Sequence, residues 1–103
     1  MFSYSERIKI YKETYNEATN LPEISELGDY LASIQFTTRL VFDDRRNSQV
    51  YLDAVFRVNK VFTQGYFKDC FIDYAGEKYE VINEYHSVFL DVTELSCIKS
   101  GKY

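Results

Sequence analysis

The stretch "QVYLDAVFRVN", residues 49–59, constrains this chain more than any other feature of its sequence. Val50, Leu52, Ala54, Phe56 and Val58 fall on one side of an extended backbone, and Tyr51, Asp53, Val55, Arg57 and Asn59 on the other. A period of two is the mark of a strand with one face in a core. A one-residue slip would turn the whole apolar set towards water, so the register of this strand is firmly set.

Weaker alternation recurs along the chain. In "SERIKIYK", residues 5–12, Ile8 and Ile10 oppose Arg7, Lys9 and Tyr11, and the polar "ETYNEATN" that follows reads as a surface loop. The next segment, "LPEISELGDYLASIQF", is ambiguous. Apolar residues at 21, 24, 27, 31 and 34 suit a helix starting near Pro22 with Asn20 as its cap. Gly28-Asp29 interrupts that pattern, which favours an irregular entry and a strand over 29–36. Residues 37–48 form a long excursion with a charged tip.

Further on, "YFKDCFIDY" has apolar residues on both faces, and Ala75-Gly76 supplies a tight turn. "KYEVINEY" follows, with Tyr79, Val81 and Tyr85 expected inside and Glu80 and Glu84 outside. In "SVFLDVTELSCIK" the apolar parity switches around Asp91 to Glu94, which calls for a bulge or a break between two short strands. No repeat and no linker divides the 103 residues, so residues 1–103 are read as a single domain. Five to six antiparallel strands on such a chain must curl or stack to bury a face. The expected fold is mainly β, a small antiparallel barrel or sandwich with a long loop between its second and third strands.

A net charge of −4 argues against a nucleic-acid binder, whose affinity comes mainly from clustered Lys and Arg. No apolar run approaches the ~20 residues of a membrane span, and "MFSYSERIK" lacks a signal-peptide core. The two cysteines, Cys70 and Cys97, are therefore expected as reduced thiols, although adjacent strands could bring them together.

Reactive constellations are scarce. His86 is the sole histidine and reads as a solvated turn residue. Metal-ligand spacings such as CxxC or HxxxH do not occur, and neither does a Gly-rich phosphate loop, so no metal and no cofactor is expected. The cluster Tyr66, Phe67 and Phe71 could stack bases, but the acidic balance and the alternation favour packing. The loop residues Arg39, Asp43, Asp44, Arg45, Arg46 and Asn47 read either as a solvated turn or as a protein contact held out on a β scaffold.

The order of segments resembles that of the phage head–tail adaptor family, the head-closure or head–tail joining proteins. The likeness runs from "ERIKIYK" through "ASIQF", the excursion, "VFRVN" and "CFIDYAGEKYEVINEY" to "TELSCIKS". Ile72, Tyr74, Gly76, Tyr79 and Val81 fall on the family's hairpin positions, and Leu95 and Cys97 on its last strand. Where the family often has a Trp before A-x-I, this chain has Tyr30-Leu31.

The resemblance implies a virion structural protein of the neck, made in the bacterial host cytoplasm and not an enzyme. It would form a ring, typically twelve-fold, under the portal, close or extend the DNA channel, and offer a docking face to the tail. Portal or adaptor proteins, tail proteins and copies of itself would be its partners. Packaged DNA would pass nearby without specific binding. The other readings are a tail-terminator or other neck ring protein, and a small monomeric β-domain binding module acting as an inhibitor.

Overall fold

The structure is a computed structural model that describes residues 3–44 and 46–100. Eight strands make it up: β1 (Glu6–Asn16), β2 (Leu21–Phe36), β3 (Leu40–Asp43), β4 (Ser48–Tyr51), β5 (Ala54–Val58), β6 (Cys70–Tyr74), β7 (Glu77–Ser87) and β8 (Val92–Lys99). Six of them close an antiparallel barrel in the order β1-β2-β5-β8-β7-β6. The remaining two, β3 and β4, pair as a separate hairpin inserted between β2 and β5. The mainly-β fold read from the sequence is thus a barrel rather than a sandwich, and its long loop carries a small sheet of its own. Among the described residues no helix is long and apolar enough to cross a membrane.

The seam that closes the barrel is short. It pairs β1 with β6 from Lys9↔Asp73 to Lys12↔Cys70. Inside lie Ile8, Ile10, Ala32, Ala54, Phe56, Val58, Ile72, Tyr79, Val81, Leu95 and Cys97. Phe56 is fully buried and meets the edges of Tyr79 and Tyr74, with ring centroids 5.1 and 6.0 Å apart. A ring buried this way contributes about 1.5–3 kcal/mol through the apolar area it removes from water. The hairpin positions Ile72 and Tyr79 pair across β6–β7 and both face the core. Ala75 and Gly76 both hold positive φ, 52° and 78°, as the two-residue turn between these strands requires.

Several strands depart from the sequence reading. β1 runs on through Asn16, so "ETYN" is strand and only residues 17–20 turn. β2 is continuous from Leu21, with neither a helix nor an irregular entry. The bulge behind this is plain in the register, which steps from Ile10↔Gly28 to Tyr11↔Glu26 and leaves Leu27 as the extra residue. Beyond Lys12, where the pairing with β6 ends, β1 and β2 continue as a two-stranded arm.

The stretch 49–59 is two strands. At the corner between β4 and β5, the Leu52 N–H donates to the Arg39 carbonyl (2.8 Å) and the Asp53 N–H to the Cys97 carbonyl (2.9 Å). The Asp53 carboxylate in turn accepts from the Lys99 N–H at 2.6 Å. Val50 is therefore in the separate hairpin and half-buried, while Ala54, Phe56 and Val58 face the core. A second bulge, between Val81 and Asn83, reverses β7: Tyr85 points to solvent at 63 % exposure, and Glu84 points in with a side chain only 9 % exposed. Residues 88–91 are a turn, which accounts for the parity switch before β8.

Cys70 on β6 and Cys97 on β8 are separated by β7, and both are free thiols. Burial pushes Cys70 up to about 11 from its ordinary 9.0, and raises Cys97 well above that value. An unfolded chain ionises these thiols first, so their contribution to stability is present below pH 9 and lost as pH climbs towards 11. Denaturant titrations at stepped pH should show that decline, and it should be shallower in Cys70→Ala relative to its own neutral-pH stability.

Gly28 has φ +153°, and a Cβ there would sit 3.4 Å from the Tyr30 ring. Gly28→Ala is expected to destabilise by about 1–3 kcal/mol through backbone strain. A midpoint unchanged in urea would show that the bulge tolerates a side chain.

Candidate functional site

The long loop is organised by its hairpin. Cross-strand pairs Leu40↔Tyr51 and Phe42↔Gln49 put Leu40, Phe42 and Tyr51 on one face, and Val41, Asp43 and Val50 on the other. The second face is turned towards the barrel: Asp43 is buried and Val41 and Val50 are half-buried. Arg46 ties this arrangement down. Its guanidinium donates to the Asp43 carboxylate and, at 2.8 Å, to Glu80 on the outer side of β7. Asp43 and Arg46 thus anchor the hairpin rather than stand free in solvent.

The first face lies open. Leu40, Phe42 and Tyr51 are 45, 52 and 67 % exposed, and Phe36 at the end of β2 is 64 % exposed. Of the six loop residues singled out by sequence, Arg39, Asp44, Arg46 and Asn47 are exposed, and Asp43 is not. Arg45 lies outside the described residues. The loop's short apolar centre is visible in the sequence, but the contact reading rests on the charges at its tip. The signal was there: "LVFD" and "SQVY" can only alternate if one of their faces is apolar outside.

The aromatic cluster divides. Tyr30, Phe62, Tyr66 and Phe67 pack together, with Phe62 at 5.0 Å from Tyr66 and 4.8 Å from Phe67, over one end of the barrel. Phe71 sits elsewhere, stacked on Tyr11 at 5.1 Å beneath the Lys78 ammonium. No continuous platform for bases results.

His86 is not a solvated turn residue. It stands in β7 with a side chain 7 % exposed, between Glu84 and Thr93. Its Nε2 lies 2.8 Å from the Glu84 carboxylate, and its Nδ1 lies 2.9 Å from the Thr93 hydroxyl and 3.3 Å from the Phe62 N–H. Glu84 also accepts the N–H groups of Gly65 (2.7 Å) and Phe67 (3.2 Å), and the Thr93 hydroxyl donates to the Lys60 carbonyl at 2.6 Å. All three side chains are spent on the backbone of residues 60–67. The arrangement holds the aromatic loop against the barrel, and the one hydroxyl beside the histidine, that of Thr93, is fully buried and donates to the Lys60 carbonyl. Among the described residues no group of His, Cys, Asp and Glu could hold a metal ion.

Two further apolar surfaces remain. The turn after β7 exposes Val88, Phe89 and Leu90 at 81, 96 and 59 %, and the arm exposes Tyr15, Leu21 and Ile24. Compared with known proteins, the chain matches no family model and no curated protein.

Removing the Glu84 charge should loosen the aromatic loop before the barrel. Glu84→Gln is expected to cost about 1–3 kcal/mol, as for partly buried donors that lose a charged acceptor. Hydrogen exchange should rise first at the amides of Gly65 and Phe67, and equal protection in both proteins would contradict the role given to Glu84.

Proposed function

We propose that the chain is a structural protein of the phage neck, without chemistry of its own, that assembles as a ring beneath the portal and presents a docking face to the tail. The observation that supports this reading most directly is the open face of the β3–β4 hairpin. Leu40, Phe42 and Tyr51 stand in solvent on an element that Arg46 fastens to Glu80, so the apolar face is displayed rather than left over. Contiguous exposed apolar residues of this kind mark interaction surfaces. A chain with such residues also on its arm and on the turn 88–90 suits an assembly that touches several neighbours, as a ring member between portal and tail must.

The resemblance in segment order supplies the position in the virion. Contacts of the hairpin with a neighbouring copy or with the portal close the ring, and head-to-tail association of this sort generates closed rings when the rotation permits. The acidic balance suits a protein past which DNA slides without being held.

The test is electron microscopy of lysates from phage with an early stop codon in this gene, complemented either by the natural chain or by Phe42→Asp/Tyr51→Asp. Separate tails beside tailless heads are expected for the stop codon and for the double variant, with normal particles only when the natural chain is supplied. Normal infectious particles without any complementation would remove the chain from the virion, and an isolated binding module would take its place.

A further inference from the structure

The net charge of the chain is a property of its arm. Residues 13–26 contain no cation and four carboxylates: Glu13, Glu17, Glu23 and Glu26. Their balance of −4 equals that of the whole chain, so the other residues hold 12 cations against 12 carboxylates and are neutral. Lys9 at the base of the arm approaches Glu26 (3.5 Å) and Asp29 (3.9 Å). Towards the tip, among the described residues, no cation pairs with Glu13, Glu17 or Glu23.

The same arm has an open edge. β1 covers β2 along its whole length, but β5 pairs with it only from Ala32 to Phe36. Among the described residues no strand pairs with the other edge of β2 from Leu21 to Gly28. Pro22 tells which residues face that edge. It has no N–H to give, so it belongs on the side turned away from β1. With it, by alternation, go Ile24 and Glu26. Their N–H and C=O groups are where another strand would bond, and Pro22 makes Ile24 the first donor available. The side chains beside this edge are mixed: Ile24 and Leu21 are 58 and 62 % exposed, next to Glu13, Glu23 and Glu26.

We propose that the outer edge of β2 binds an extended, cationic and apolar segment of another protein, which adds as a third strand to the arm. Leu21 and Ile24 lie on opposite faces of β2, so alternate side chains of that segment cover Ile24 on one face while its Lys or Arg residues on the other meet Glu23, with Glu13 and Glu17 adding to the negative field they enter. Main-chain bonding gives such complexes affinity, and the alternating side chains give them selectivity. A second copy of this arm is the wrong occupant, because it would bring a second cation-free acidic edge up to the first. The inference goes beyond the neck reading and does not depend on it: it is tested on the isolated chain, so either can fail alone.

The probe is a fluorescent, end-blocked peptide of alternating Lys and Val, followed by anisotropy against the full chain. Saturable binding is expected, weakening as salt rises, together with new amide protection at Ile24 and Glu26 in hydrogen exchange. Glu13→Gln/Glu17→Gln/Glu23→Gln should bind about tenfold less tightly, with an unchanged circular dichroism spectrum. Asp73→Asn/Glu77→Gln, which removes charge from the barrel instead, should bind as the natural chain does. A peptide N-methylated at alternate amides should not bind. The proposal is overturned if the Lys-Val peptide does not bind, if a Glu-Val peptide binds equally, or if the N-methylated peptide binds as well as its parent. Equal weakening by the barrel variant would overturn it too, as would a dimer in light scattering that the arm substitutions dissociate.

Discussion

The seam between β1 and β6 is the contact on which the rest of the molecule depends. Four residue pairs, from Lys9↔Asp73 to Lys12↔Cys70, turn an open sheet into a barrel and bring Ile10 and Ile72 together in one core. Closure removes the free edges that make β proteins prone to pair with one another. It also fixes where edges survive. β1 and β2 are longer than the barrel is tall, so their excess projects as the arm, and the hairpin β3–β4 lies outside the closed order altogether. Most of the exposed large apolar side chains lie on these two projections and the turn 88–90, with Leu31, Tyr66 and Tyr85 standing out elsewhere. The barrel is a mount, and what it mounts are surfaces.

Much of this was legible in the chain itself. Alternation at Ile8 and Ile10, at Ala54, Phe56 and Val58, and at Tyr79 and Val81 gave correct inward faces, because a residue in a two-period strand has only two directions to choose from. Two of the errors share one cause. At Leu27 an extra residue changes a step of two into a step of three, and the spacing of 21, 24 and 27 then imitates a helix. A second bulge near Ile82 reverses every side chain after it, which is why Tyr85 points out while Glu84 and His86 point in. A bulge carries almost no signature of its own. It shows only through a partner strand, which a single sequence does not display.

The candidate surfaces were harder to read for a related reason. The tip residues Asp43 and Arg46 look like solvated charges in sequence, yet Arg46 reaches Glu80, which lies 34 positions along the chain. That long-range pair converts a loop into a fixed hairpin and decides which of its faces is displayed. Likewise Glu84, His86 and Thr93 look unrelated until the β7–β8 register sets His86 opposite Thr93. Polar side chains here position loops, and apolar ones stand in solvent.

The seam has one more consequence, in time rather than in space. The pairs of β1 with β2 join near neighbours in the chain, while Lys9 and Asp73 are separated by most of a barrel's length of sequence. Closing a long loop costs chain entropy before any contact repays it, so local pairs form early and distant ones late. The long hairpin, like β3–β4 and β6–β7, is thus an early product of folding, and the seam the last. Until the seam shuts, β1 and β6 both present bare edges. A newly made chain passes through a state far more adhesive than its finished form, and the four pairs that end that state are the ones that make it a discrete molecule.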